Sequence, residues 1–225
     1  MKRVLFLFVF SIAAVYSFSL IGADAEADAM ARRFAEAGAV QTGESGTYNF
    51  DKAHSFIGFR IKHNGLIEVP GFFRDFTGTV VYDAKDASKS SVNFTAKTTS
   101  VDTGVQGRDD HLRRADFFEV EKYPEMTFTS TKVEKSGSGW SVTGNLTMKG
   151  VTKAITFPFN LTGFLPANQR TGPRMGITAE TTINRRDFGV NYGTAAAIGD
   201  DVKVVLQIEA VQPKAPAPAA TPATE

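Results

Sequence analysis

Between residues 47 and 212 apolar and polar side chains alternate, and the repeat is two. In SFIGFRIKH, Ile57, Phe59, Ile61 and His63 fall on one face, with Gly58, Arg60 and Lys62 on the other. FTGTVVYD turns Phe76, Gly78, Val80 and Tyr82 the same way, and SVNFTAKT sets Val92, Phe94 and Ala96 against Asn93, Thr95 and Lys97. EMTFTSTK contributes Met126 and Phe128; WSVTGNLTMK contributes Trp140, Val142, Gly144, Leu146 and Met148. AITFPFNLTGF adds Ile155, Phe157, Phe159 and Leu161, and MGITAETTI adds Met175, Ile177, Ala179 and Ile183. The last run, DVKVVLQIEA, gives Val202, Val204, Leu206 and Ile208. Alternation sustained over so many segments predicts half-buried antiparallel strands, each with one apolar and one polar face.

The connections agree with strands. Ser136-Gly137-Ser138-Gly139 and Lys149-Gly150-Val151-Thr152 sit between alternating runs as hairpin loops. About eight strands joined by short turns must hide their edges, and closure into a barrel does so fully where a sandwich does so in part. The predicted class is all-β, an eight-stranded antiparallel barrel whose interior is just wide enough for packed side chains or one small ligand. Both interiors stay open at this point.

One stretch breaks the period. From about Gln106 to Ala115 alternation stops, and Asp109–Arg113 and Asp110–Arg114 fall at the acid-before-base spacing that supports a helix. Pro124 then favours an extended residue before it. A short helix between two strands near one barrel end is expected, with Leu112 and Phe117 or Phe118 as a plug.

Outside the alternating region the texture changes twice. Residues 1–25 have two basic residues, an apolar run from Val4 to about Ile21 and the small-x-small triplet Ala23-Asp24-Ala25, which together describe an export signal. The run is also nearly long enough to be an N-terminal membrane anchor. Serines at 11, 17 and 19 dilute it, so cleavage and a periplasmic, exported form are expected. Residues 26–46 are rich in Ala and Glu and read as a linker or short helix; residues 213–225, with prolines among alanines and threonines, read as a disordered tail. The domain proper is therefore 47–212.

Charge and composition narrow the chemistry. A net charge of +1 leaves no excess to drive binding to nucleic acid. The absence of cysteine excludes disulfides, thiol catalysis and thiolate metal sites. The histidines at 54, 63 and 111 have no spacing that converges three ligands on a metal, so no metal site is expected. No G-x-S-x-G elbow is present, and Asp109 and Asp110 diverge by about a hundred degrees on a helix. His111 reads as structural, and neither catalysis nor a cofactor is expected. What remains is an interior with 19 phenylalanines in the chain to fill it. Those rings either pack as a core or line a tunnel, and the small inward residues Gly78, Ala96, Gly144 and Ala179 leave volume for the second.

Several blocks resemble the YceI family of bacterial periplasmic proteins, lipocalin-like barrels that bind polyisoprenoids. They are His54-Ser-x-Ile-x-Phe-x-Ile-x-His63, FRDFTGTVVYD from Phe73, Val101-Asp102-Thr103-Gly104, DHLRRADFFEVEKYPEMTF, LTMKGVTKAITFPF from Leu146, and NRRDFG from Asn184. They run in family order from about residue 47 to 211. GLIEVPGFF departs from the family, replacing its usual small-residue loop at one barrel mouth.

The resemblance implies a monomer or homodimer holding a polyprenyl lipid or isoprenoid quinone, with possible transient membrane contact and no established reaction. The alternation supplies the candidate contacts: Ile57, Phe59, Ile61, Phe94 and Phe128 from the first half, Leu146, Met148, Phe157, Phe159 and Ile183 from the second. Arg108, Arg113 and Arg114 are head-group candidates by charge. The rival readings are a redox accessory presenting a quinone to a membrane partner, and a packed barrel serving as an interaction module.

Overall fold

Eleven strand segments form one antiparallel sheet that closes on itself as eight staves. In this computed structural model residues 43–214 other than 138 are described; the expected export signal, most of the 26–46 segment and nearly all of the tail lie outside that range. The segments are β1 (Gly46–Phe50), β2 (Phe56–His63), β3 (Ile67–Phe73), β4 (Phe76–Tyr82), β5 (Ser91–Lys97) and β6 (Val101–Asp102). After helix α1 (Gln106–Leu112) come β7 (Glu125–Ser136), β8 (Gly139–Met148), β9 (Val151–Leu165), β10 (Arg174–Asn184) and β11 (Ile198–Val211).

The difference between eleven and eight lies in three neighbouring staves that each break once. β11 pairs with β1 at Phe50↔Ala210 and resumes with β2 at Gln207↔Phe56, so β1 and β2 are two lengths of one stave. β3 and β4 form the next, and β5 and β6 the third, with β4 on β5 and β3 on β6. Hydrogen bonds carry across the breaks: Asp51 N to Glu209 O at 2.8 Å, Lys97 N to Asp75 O at 2.8 Å and Arg74 N to Ser100 O at 3.1 Å. Ser55 fills in with its hydroxyl, donating to Glu209 O at 3.1 Å and accepting from Glu209 N at 2.9 Å. A crease therefore crosses three staves at one height without leaving those backbone groups unpaired.

One barrel end carries the β4–β5, β7–β8 and β9–β10 connections. The other carries the β2–β3 turn, the segment 103–124, the β8–β9 turn and the segment 185–197. Lys149 and Gly150 take φ of 49° and 75°, which makes the β8–β9 hairpin a two-residue turn.

The helix is shorter than its charge pattern predicts, and its ion pairs differ. Asp109 is buried and accepts from the Thr103 amide at 2.9 Å and from the Thr103 hydroxyl. Arg113 instead pairs with Asp110 at 3.0 Å, and gives Nε to Thr99 O and Nη2 to Val101 O, both at 2.9 Å. A buried carboxylate takes nearby backbone and hydroxyl donors in preference to a surface partner. After Leu112 the chain leaves the helix, with Phe118 N bonded to Leu112 O at 3.0 Å, and this turns Phe117 and Phe118 inward. Among the described residues β6 pairs with β3 alone, and β7 reaches β5 on that side. The segment 103–124 therefore completes the wall between them.

Candidate functional site

The barrel is hollow. A chamber of about 320 Å³ occupies the half nearer α1, and one of about 60 Å³ the other half. Ile57, Phe94, Phe128, Phe157 and Leu206 line both, so they form a waist. Within the waist Phe128 stacks on Phe94 at 5.6 Å between centroids and tilts against Phe157 at 5.5 Å.

Nine of the ten expected interior residues line the larger chamber: the waist residues Ile57, Phe94, Phe128 and Phe157, and above them Phe59, Ile61, Leu146, Met148 and Ile183. Phe159 lines only the smaller one, stacked on Trp140 at 5.9 Å. Leu112, Phe117 and Phe118 form the chamber wall beside the mouth, with Phe118 edge-on to Phe73 at 5.5 Å, rather than a plug. Other rings pack at the far end. Tyr82 lies 5.0 Å from Phe164 and 6.4 Å from Trp140.

Glycines do not open the free volume directly. A Cβ on Gly78 would stand 2.3 Å from the Phe50 ring, and one on Gly71 would stand 2.2 Å from that of Phe59. The rings already fill those spaces. Lying against a bare backbone, they stay out of the bore, and this keeps it open.

Among the described residues the exposed lining of the tunnel lies at the end nearer α1, which is its mouth. Of the residues lining the larger chamber only Lys62, His63 and Tyr192 are exposed, and none lining the smaller one is. Polar groups gather there too. Arg108 lines the chamber while donating Nε to Thr103 Oγ1 at 2.7 Å and Nη2 to Thr103 O at 2.9 Å. Arg113 spends its guanidinium on Thr99, Val101 and Asp110, and neither it nor the exposed Arg114 lines the cavity. His111 does, with Nε2 held by Asp116 at 2.7 Å and its ring edge-on to Phe117 at 4.9 Å and Tyr192 at 4.8 Å. That hydrogen bond holds the Asp116 carboxyl below the usual carboxylate range.

Sequence reasoning passed over Lys62, Thr103, Tyr192 and Arg185, which line the chamber near the mouth. Arg185 is 3% exposed and donates to the carbonyls of Val190 at 2.7 Å, Gly199 at 2.9 Å and Ile198 at 3.0 Å, and to Asp200 at 3.1 Å. Burial pushes its pKa down. The only signal available was the NRRDFG block; its first arginine clasps the segment that carries Tyr192.

Elsewhere, Asp51, His54 and Glu209 bring three ligand atoms within 4.8 Å. The fold accounts for all three: His54 bonds Asp51 at 2.7 Å, and Arg174 faces Glu209 at 3.6 Å.

Residues 48–210 match the YceI-like domain. A UPF0312 protein of Pectobacterium atrosepticum is 43% identical over 173 residues, 74% of this chain and 87% of that protein. The crystal structure of the Campylobacter jejuni YceI protein superposes with a TM-score of 0.62 at 34% identity, over 73% of this chain and 96% of that one. A polyisoprenoid binding domain from Saccharophagus degradans superposes with a TM-score of 0.58 over 74% and 98%, and at 20% identity that likeness speaks for the fold. The match runs from the first stave to the last and a relative this similar accompanies it, so the chain belongs to the YceI-like family.

Proposed function

We propose that this protein is a non-enzymatic carrier or reservoir, exported to the periplasm, that holds the tail of a polyisoprenoid lipid or isoprenoid quinone in its tunnel. The observation that carries the reading is the shape of the cavity: a bore lined mainly by apolar side chains, with its charged groups and its exposed lining residues gathered at the end nearer α1. An amphipathic ligand with a long apolar tail and a small polar head fits that gradient. The Saccharophagus degradans domain of the same fold, a polyisoprenoid binding domain, supports the same class of ligand.

Apolar burial is sufficient to hold such a tail. Each methylene removed from water contributes roughly 0.8 kcal/mol, so a five-carbon unit contributes on the order of 3 kcal/mol before costs. Immobilising the tail and losing translational freedom take back much of that. A tail of several units binds without hydrogen bonds, which is why the bore needs no polar chemistry. Arg108 and His111 are the groups proposed to meet the head at the mouth, and the ten interior residues the tail.

Mild purification from the host, organic extraction and mass spectrometry test the reading. A prenyl species, with or without a quinone ring, is the expected result and identifies the head group at the same time. Protein that emerges empty and also refuses added prenyl lipids overturns it.

A further inference from the structure

The two most exposed large apolar side chains of the described residues are neighbours. Leu66 is 81% exposed and Ile67 62%, and both sit on the tip of the β2–β3 hairpin. Single exposed hydrophobics are ordinary on a soluble protein, but an adjacent pair on a projecting tip is not. The pair has no role in holding the hairpin. Asn64 and Gly65 take φ of 51° and 68°, and Leu66 N bonds His63 O at 3.0 Å, so the turn is made by Asn-Gly and backbone. Asn64 N also bonds Ala197 O at 2.9 Å, fixing the tip to the segment that follows Tyr192.

Position gives the pair a use. The same hairpin supplies Lys62 and His63 to the tunnel mouth. Val105, 51% exposed, and Tyr192, 45% exposed, are on the two other long connections at that end. Behind the tip lies a collar of charge. Lys203 and Arg60 engage Glu68 at 2.6 Å and 3.6 Å, and Arg60 also faces Glu180 at 3.4 Å. Lys62 has no ion-pair partner among the described residues. An apolar tip backed by a lysine complements the apolar layer and the phosphate layer of a bilayer in that order.

We propose that the β2–β3 hairpin is a membrane-docking element: Leu66 and Ile67 enter the bilayer, Lys62 meets the lipid phosphates, and the tunnel mouth is set against the surface from which a lipid is loaded. This rests on the lipid-binding reading above, because only a ligand resident in a membrane requires the mouth to meet one. Tyr192, with an apolar ring and a polar tip, suits the same boundary.

The test compares the protein as purified from its host with its L66D/I67D variant, so that any contribution from outside the hairpin is common to both. Flotation with phosphatidylcholine vesicles, with and without phosphatidylglycerol, measures docking, and titration with dispersed geranylgeraniol measures the tunnel. The wild type is expected to float, and the variant to lose at least about tenfold in vesicle affinity while keeping geranylgeraniol binding, which also shows that it is folded. K62E is expected to weaken flotation further on vesicles containing phosphatidylglycerol. A wild type that does not float, or a variant that floats equally well, overturns the proposal. So does a variant whose only change is loss of self-association in sedimentation, which makes the tip a contact between copies. Failure of the wild type to take up geranylgeraniol counts against the lipid-binding reading and is seen separately from flotation.

Discussion

Phe128 and Gly144 occupy one spot on the barrel wall. A Cβ on Gly144 would stand 2.5 Å from both the Phe128 ring and the Thr129 carbonyl. The ring therefore lies over bare backbone at the waist, where it touches both chambers. Gly144→Ala forces the ring away from the wall. Overpacking of this kind costs about 1–3 kcal/mol, and the displaced ring narrows the passage between the chambers. Urea unfolding is expected to register the first effect. A shift of lipid uptake toward shorter prenyl chains, with short-chain uptake retained, is expected to register the second.

Phe159 and Thr156 test which face of β9 is inside. Phe159 lines the smaller chamber, whereas Thr156 is exposed and shares a 2.8 Å hydrogen bond with Thr143 on the outer surface. Phe159→Asp sets a carboxylate in an apolar space, at a cost of order 3 kcal/mol, and is expected to abolish uptake of long prenyl chains. Thr156→Asp is expected to change stability by no more than about 1 kcal/mol and leave uptake intact. Prenyl-lipid titration of both proteins decides the matter, since equal behaviour would reverse the inside and outside of the strand.

The period of two made most of the barrel legible, because a strand that buries one face must alternate. Ile57, Phe94 and Phe157 could be placed inside from their neighbours alone. The mouth could not be read in this way. Thr103 and Tyr192 belong to irregular connections and Arg108 to the short helix α1, where no period of two ties a residue to a face, and they meet only because the barrel closes. Local charge spacing misled for a related reason. Asp109 satisfies the helix rule for pairing with Arg113, yet tertiary burial hands it to Thr103. The glycines misled differently: alternation shows which residues point inward, but not that a ring from the next strand fills the space, as Phe50 does at Gly78.

Arg185 holds the mouth by hydrogen bonds that only a guanidinium can span. Its three nitrogens reach three carbonyls and Asp200, and the side chain is almost wholly buried. Arg185→Ala strands those carbonyls and is expected to cost about 3–5 kcal/mol. Arg185→Lys retains the charge without the fork and is expected to recover only part of the loss. Asp200 also accepts from Arg186 Nε at 2.6 Å, so the effects of Arg185→Ala and Arg186→Ala are expected to be non-additive when combined. Thermal unfolding gives the stabilities. Hydrogen exchange across 186–197 is expected to rise in Arg185→Lys before any global change.

Asp116 gives the mouth a pH dependence of known sign. Its native carboxyl is held below its ordinary range, chiefly by the hydrogen bond from His111. The unfolded chain therefore takes up a proton at a pH where the native one does not, and the stabilisation from this contact falls as the solution is acidified. It is fully present above the unfolded carboxylate value of about 4 and is lost as pH drops through the native value below it. The side chain is 39% exposed, so solvent screening limits the contribution to under about 1 kcal/mol. Asp116→Asn is expected to be slightly less stable than the wild type at pH 7, and the difference is expected to shrink once pH falls below about 4. Paired urea titrations across that range measure it. A gap that persists unchanged into acid would mean that Asp116 acts through packing against its neighbours rather than through the hydrogen bond its carboxylate accepts from His111.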